Sequence, residues 1–327
     1  MDCRAELIGD RGEAASSADF FRSPRFLEAE GTTHSLRITG GDDGTVELAA
    51  PLVVRDIPDS DRFDAISPYG YPGLRLTGPG GSGPGRSAPD GPPGIPVDPG
   101  EIDFSGTGLV TVFLRHALGR PIPLTGASPR NICLLSDPDL PRKSRMSDRQ
   151  QIRKNLKNGY EMKLVAGPDS GSDARAGFFT AYTETMRRTD AAERYFFEAG
   201  YFDRILGADG TWLVSARAPD GGIAAASIAV LSDGLLHYYL SGTADRYLRD
   251  SAMKNVIEAM ISFGDETGLA VNLGGGITPG DPLEEFKRGF ANREEQWYTS
   301  EIVCDGDACA ELTVAGDPGG FFPPYRA

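Results

Sequence analysis

His237, Tyr238 and Tyr239 stand side by side in an apolar run that continues to Ser241 and Gly242, and they supply the groups that an acid-base or hydrogen-bonding site would use. If the run is a strand, His237 and Tyr238 point to opposite faces and Tyr239 shares the His237 face, so only one of the two faces lines a substrate. A strand tyrosine or a lone histidine serves equally well as a packing group. Arg187 and Arg188 end an aromatic segment that contains Tyr182, and could grip a carboxylate or phosphate through paired bonds. Cations at a helix C-terminus are also favoured by the helix dipole alone. Gly274, Gly275 and Gly276 let a ligand approach bare backbone, or simply turn a strand into a helix. Tyr69 and Tyr71, in Ser67-Pro68-Tyr69-Gly70-Tyr71-Pro72-Gly73, form a rigid aromatic turn suited to walling a cleft or to packing. Cys3, Cys133, Cys304 and Cys309 are scattered, without a CxxC or Cys/His cluster. No metal site or disulfide framework is expected, although Cys304 and Cys309 could meet across a hairpin.

The net charge of -14 opposes nucleic-acid binding, because phosphates repel an acidic surface. Its distribution is uneven. Between Arg142 and Lys163 eight cations face only Asp148 and Glu161, a local +6 in a chain that is otherwise strongly acidic. Arg149, Arg153 and Lys157 share one face of a helix expected over 148–158, with Lys154 beside them, so this segment is either a solvated face or a landing site for phosphates. No apolar run approaches the roughly 20 residues needed to cross a bilayer, and the N-terminal residues lack an apolar signal core. A cytoplasmic protein is expected.

Those groups need a scaffold, and the second half of the chain declares one. Ser147 and Gln150 suggest a capping box for the basic helix, with Gly159 as its stop. A strand over 160–165 follows, then a helix carrying Phe178, Phe179, Tyr182 and Met186, and a helical stretch from Ala191 capped by Asp190. Three strands over 211–217, 223–231 and 235–240 are joined by Pro219-Asp220-Gly221-Gly222 and Ser232-Asp233-Gly234, which is hairpin chemistry and predicts an antiparallel meander. Met253, Val256, Ile257, Met260 and Ile261 then mark one helix face, stopped by Gly268. A strand over 269–273, a helix containing Phe286, Lys287 and Phe290, and strands over 297–303 and 310–314 complete the order. The first half reads as a blurred repeat: a helix over 19–30, strands over 34–38, 46–55 and 63–67, a helix over 108–118 and a strand over 132–135. The Gly/Pro-dense segment 77–100 is expected to be a flexible or polyproline-like loop inserted in the first domain. Domains over 1–140 and 141–327 follow, with the final strands free to pack on the first and a substrate cleft expected between the two.

Four segments carry a family resemblance: Arg149-x-x-x-Arg153-Lys154-Asn155-Leu156-Lys157-x-Gly159-Tyr160; Tyr182-x-Glu184-Thr185-Met186-x-Arg188; His237-Tyr238-Tyr239-Leu240-Ser241-Gly242-Thr243; and Gly274-Gly275-Gly276 followed by Phe286-Lys287-x-x-Phe290. In this order the chain resembles the Fem-type aminoacyltransferases of the GNAT-like superfamily, chiefly over 142–298. The resemblance implies an α/β fold of two GNAT-like domains, each a mixed, largely antiparallel sheet flanked by helices. It implies transfer of an amino acid from aminoacyl-tRNA to an amine of a small molecule or peptide, with neither a metal nor a covalent enzyme intermediate. Lys287 matches the family position that faces the cleft, where it would stabilise phosphate or oxyanion, though a lysine on an amphipathic helix also fits a surface role. Catalysis is thus expected of Lys287, Tyr238 and His237. Substrate contacts are expected of Tyr69, Tyr71, Tyr182, Arg187, Arg188, Tyr239, Ser241, Gly242 and Gly274 to Gly276, and tRNA contacts of Arg149, Arg153, Lys154 and Lys157.

One departure bears on the donor. An acetyl-CoA-dependent GNAT carries a Gln/Arg-x-x-Gly-x-Gly/Ala turn after its fourth strand, where backbone N–H groups hold pyrophosphate. Here 241–251 reads SGTADRYLRDS, without that spacing. No cofactor is therefore expected beyond aminoacyl-tRNA as co-substrate. An N-acyltransferase using acyl-CoA or an acyl-carrier protein is the rival, and a catalytically silent binding module of the same fold is a second.

Overall fold

The computed structural model describes residues 3–12, 15, 19–40, 46–76, 96–313 and 319–326. Most of the Gly/Pro-dense segment, 77–95, lies outside them. Contacts between Cα atoms divide the chain into two compact units: Met1–Arg130 with Gln296–Ala327, and Asn131–Glu295. The sequence sets a boundary near 140; the structure divides the chain ten residues earlier and returns the last segment to the first unit.

In the first unit β1 (Cys3–Ile8), α1 (Pro24–Ala29), β2 (His34–Gly40), β3 (Val46–Asp56), β4 (Phe63–Ile66), β5 (Arg75–Leu76), β6 (Ile102–Asp103) and β7 (Leu109–Arg115) follow in sequence. The second unit supplies β8 (Ser128–Ser136), α2 (Met146–Lys157), β9 (Glu161–Ala166), α3 (Ser172–Arg188), α4 (Ala199–Leu206), β10 (Thr211–Arg217), β11 (Ile223–Ser232), β12 (Leu235–Thr243), α5 (Met253–Thr267), β13 (Ala270–Gly274) and α6 (Pro282–Arg288). The chain then re-enters the first unit through β14 (Arg293–Val303) and α7 (Gly306–Leu312).

The strand order of the first unit is β6-β1-β2-β3-β4-β7-β14, with β5 also on β3. Its core gathers Leu36, Ile38, Leu48, Leu52, Val112, Leu114 and Ile302. Two expectations fail here. The helix over 108–118 is the strand β7, because Val110, Thr111 and Val112 are β-branched or nearly so in succession and the unbroken apolar run suits a strand buried on both faces. Where a strand over 310–314 is expected, residues 310–312 belong to the helix α7, whose N-cap Asp305 accepts from the Ala308 N–H at 2.9 Å, and residue 314 lies outside the described residues. The helix over 19–30 divides into a 3-10 turn, Phe20–Arg22, and α1, started by the Ser23 cap and Pro24. Cys304 and Cys309 are both free thiols.

The second unit orders its strands β8-β13-β12-β11-β10-β9, antiparallel from β9 to β12. The hairpin turns are those the sequence names: Asp233 and Gly234 both adopt positive φ between β11 and β12. Strand β11, IAAASIAVLS, is alanine-rich because helices press on it from both sides; α3 and α5 each pack on it. Val256, Ile257, Met260 and Ile261 of α5 are completely or almost completely buried, each contributing about 1.5–3 kcal/mol of apolar burial.

Three boundaries in this unit differ from expectation. Helix α2 starts at Met146 after Arg145, without a side-chain cap, so the Ser147–Gln150 capping box does not form. Asp190 caps nothing: it sits at φ 49°, and the next α-helix is α4, at Ala199. Strand β12 runs on to Thr243, through a bulge at which Ala229 pairs with Tyr238 and Ile228 with Leu240. Tyr239 is the extra residue, and the simple alternation expected along 237–239 is broken there.

Candidate active site

The second unit contains a fork. Strands β12 and β13 run parallel through three register pairs, Leu235–Ala270, Leu236–Val271 and His237–Asn272. Beyond them β13 shifts register and pairs Gly274 with Leu134 of β8, while β12 continues along β11. The two strands therefore part immediately after His237 and Asn272.

His237 closes that last rung. Its Nδ1 receives a bond from Asn272 Nδ2 at 3.0 Å, and its Nε2 donates to the Ser232 carbonyl at 3.2 Å. Burial pushes its pKa down to about 4 against smaller opposing effects of the Ser232 carbonyl and Asp233. A neutral imidazole with both nitrogens engaged and 2% exposure has no free lone pair or proton for acid-base work. The catalytic expectation for His237 is corrected to a packing role at the fork, and its partner Asn272 gave no sequence signal.

Lys287 is the charged group at the fork. It is 7% exposed, its Nζ donates to the Gly275 carbonyl at 2.7 Å, and it lies 5.9 Å from the centre of the Tyr238 ring. Burial lowers its pKa to about 8; Cys133 and Asp281 nearby act in the opposite direction. A lysine so placed stays largely protonated at neutral pH, yet its proton is far more labile than that of a surface lysine. Its burial sets aside the surface alternative for Lys287. Tyr238 faces this ammonium and hydrogen-bonds Ser241; burial raises its pKa to about 12, so it serves as a hydrogen-bond donor and not as a base.

Close approach requires two of the three glycines and backbone conformation the other. A Cβ on Gly275 would sit 2.6 Å from the Ile132 carbonyl oxygen, one on Gly276 would sit 2.6 Å from Asp281 Oδ1, and Gly274 holds φ 74°. Gly242 is different. A Cβ there would fall 2.4 Å from the Ala181 and Tyr182 backbone, so this glycine admits α3 against β12, and its expected substrate contact is corrected to packing.

Other expected contacts separate. Tyr182 is buried, with its hydroxyl donating to the Tyr195 carbonyl at 2.8 Å, and belongs to an aromatic cluster with Phe178, Phe197 and Phe202. Tyr239 reaches Tyr201, hydroxyl to hydroxyl at 3.2 Å, and Tyr201 stacks on Phe197 at 4.0 Å. Arg187 and Arg188 are both exposed, and Arg188 is tied to Asp245 and Thr243. Tyr69 and Tyr71 belong to the first unit, where Tyr71 packs edge-on against Phe21 and Trp297. Arg149, Arg153, Lys154 and Lys157 are exposed along α2 because its other face, Asp148, Ile152 and Asn155, is buried. Asn155 donates to Asn255 Oδ1 at 2.7 Å and to the Asp250 carbonyl at 2.8 Å, and Lys254 pairs with Asp148 at 2.8 Å.

A cavity of about 380 Å³ in the same unit is lined by Arg142, Lys143, Arg288 and Arg293. Each of its arginines already faces two carboxylates: Asp265 and Glu258, Glu284 and Glu294, Asp137 and Glu295 respectively. That balance leaves little positive field for an anion, and the fork is the better site. Among the described residues no group of three His, Cys, Asp or Glu is placed to hold a metal, and no helix is long and apolar enough to cross a membrane.

Residues 142–288 match the family model described as an acetyltransferase (GNAT) domain. The crystal structure of FemX superposes with a TM-score of 0.59 at 10% identity, over 94% of this chain and 99% of that one. The likeness is one of fold. The L-PGS structure from Bacillus licheniformis is similar at a TM-score of 0.54 and 14% identity, covering 89% of this chain and 94% of the other. The C-terminal domain of a putative lysylphosphatidylglycerol synthetase from Agrobacterium fabrum follows at 0.52 and 14%, over 91% and 92%. No curated protein matches the sequence. The residues that match the GNAT model lie in the unit that holds the fork and Lys287. Asp281 and Cys133, both beside Lys287, escaped the sequence reading; Asp281-Pro282-Leu283-Glu284 was legible as a helix start, but nothing marked Cys133.

Proposed function

We propose that the chain transfers an amino acid from aminoacyl-tRNA to an amine of a small molecule or peptide. Support for a donor other than acyl-CoA comes from the segment between β12 and α5. A 3-10 helix, Asp245–Asp250, fills the place where a CoA-dependent relative would present its pyrophosphate turn. Asp250 accepts from Tyr160 at 2.5 Å, Asp220 accepts from Tyr247 at 2.6 Å, and Ser251 is left-handed at φ 50°. These carboxylates meet any pyrophosphate approaching the helix start with like charge.

The chemistry asked of Lys287 is electrostatic. A neutral acceptor amine attacks the aminoacyl ester carbon, an N–C bond forms, and the ester C–O bond breaks, with the amine proton passing to the departing ribose oxygen. The Lys287 ammonium stabilises the oxyanion of the tetrahedral intermediate, and Tyr238 offers a second donor. A well-placed donor of this kind is worth about 3 kcal/mol of barrier. The exposed cations of α2 are the surface for tRNA phosphates. The aminoacyl ester is already activated, so the scheme calls for no metal or covalent intermediate.

The test is a binding titration of the purified protein with charged tRNA and, separately, with CoA thioesters, repeated at rising salt. Tight binding of charged tRNA that weakens steeply with salt is the expected result. The parting of β12 and β13 also suits a CoA thioester arm, which keeps the acyl-CoA or acyl-carrier N-acyltransferase as the second reading. Binding of CoA thioesters alone would replace the first reading with the second.

A further inference from the structure

We propose that Asp281 is a positioning residue for Lys287, holding the glycine turn whose carbonyl receives the lysine ammonium. One carboxylate gathers both ends of the connection between β13 and α6. Asp281 Oδ1 accepts from the Glu284 N–H at 2.7 Å and so caps α6. Its Oδ2 accepts from the N–H groups of Ile277 at 2.6 Å and Thr278 at 3.0 Å. A carboxylate accepting three backbone N–H groups is held firmly in its charged form, and its pKa is lowered chiefly by the Glu284 and Thr278 N–H bonds.

The consequence lies six residues along the helix. Lys287 turns back to donate to Gly275, two residues before Ile277, so the segment from Gly275 to Lys287 is a ring closed by two polar links, one at Asp281 and one at the lysine. Gly276 is part of the device, because a Cβ there would sit 2.6 Å from Asp281 Oδ1 and push the carboxylate away. Glu284 adds a weaker tie by accepting from the Gly280 N–H at 2.9 Å. The groups facing the ammonium are then the Gly275 carbonyl, the Tyr238 ring of β12, the Cys133 thiol of β8 and the Asp281 carboxylate. An ordinary helix cap accounts for the Glu284 bond alone; the bonds to Ile277 and Thr278 fix the glycine turn.

The turnover arm of the test rests on the proposed acyl transfer, and the titration arm does not. In the full-length protein, lysine side chains labelled with carbon-13 are followed by NMR from neutral to alkaline pH, with the Lys287 signal assigned by its loss in Lys287→Arg. The wild-type midpoint is expected near 8. Asp281→Ala and, independently, Gly276→Ala are expected to move the midpoint upwards toward that of an ordinary lysine, because the loosened turn lets the ammonium reach water. Turnover should fall about tenfold or more with little change in KM, as a displaced catalytic group demands. A role confined to capping would lower the melting temperature and leave the Lys287 midpoint in place; a purely electrostatic role would lower the midpoint in Asp281→Ala and leave Gly276→Ala unchanged. Either result overturns the proposal. Should Asp281→Ala fail to fold, Gly276→Ala, which keeps the carboxylate, decides alone. Absence of turnover with every donor, together with the upward shift, would refute the transfer reading and leave the positioning role standing.

Discussion

Both units bury charged side chains, and two of these, Asp64 in the first and Lys287 in the second, are treated in opposite ways. In the first unit Asp64 has no exposed surface, and it is answered from every side: Arg55 Nε at 2.8 Å, Arg326 Nε at 2.5 Å and the Tyr325 hydroxyl at 3.3 Å. In the second unit Lys287 receives a carbonyl, an aromatic face and a thiol, with Asp281 as the nearby carboxylate that acts on it. A buried charge surrounded by hydrogen-bonded partners ties chain segments together; here it fastens the C-terminal residues Tyr325 and Arg326 to β4. A buried charge without a direct ion pair is a cost to the fold, retained where a charge must be met later.

The largest effect expected from this contrast is on stability in the first unit. Asp64→Ala leaves Arg55 and Arg326 without their shared carboxylate and should cost about 3–5 kcal/mol in chemical denaturation, the range for breaking a buried ion pair. A loss under about 1 kcal/mol would place Asp64 with surface pairs and remove half of the comparison.

Next comes Lys287→Met, whose two consequences have opposite signs. Turnover should fall about a hundredfold or more, as for removal of an oxyanion donor. Stability at neutral pH should rise. The folded pKa of about 8 lies below the ordinary 10.5, so between these values the unfolded chain binds more protons than the folded one. The penalty on the wild type is therefore fully present below pH 8 and is relieved as pH rises to 10.5; it amounts to about 3 kcal/mol before the lost Gly275 bond is subtracted. Thermal melts of both proteins should diverge at neutral pH and converge in alkali. Equal melting temperatures at neutral pH would mean that Lys287 is not held as a costly charge.

What the sequence disclosed of this contrast follows from how local each signal is. The meander, the face of α5 and the turn at Asp233-Gly234 rest on spacing within one element, and they appear where periodicity puts them. Strand β7 reads as a helix in the sequence because a run buried on both faces has no alternation to read. Helix α7 was missed because its cap, Asp305, precedes only seven helical residues. For the site, Lys287 was found through a resemblance, and its burial and its contact with Gly275 could not be read from residue type. The role of His237 is not legible in the sequence because it is decided by Asn272, 35 residues away, and by the Ser232 carbonyl, neither of which spacing reveals. The bulge at Tyr239 likewise depends on how β11 pairs and has no glycine to announce it.

The smallest effect on the fold should come from charges that neither unit buries. Arg149, Arg153 and Lys157 are exposed on α2, whose attachment depends on Ile152, Asn155 and the Asp148–Lys254 pair. Replacing all three by Glu should change stability by no more than about 1 kcal/mol, since exposed charges are screened. If α2 receives tRNA, the same substitution should weaken charged-tRNA affinity and flatten its dependence on salt, each lost phosphate contact removing roughly 0.7–0.9 from the logarithmic slope. Lys287→Met should leave that slope unchanged, because a single buried ammonium releases few counterions. Binding curves across a salt series separate the two. A slope that falls in Lys287→Met and holds in the triple variant would assign phosphate capture to the fork and leave α2 as a solvated face.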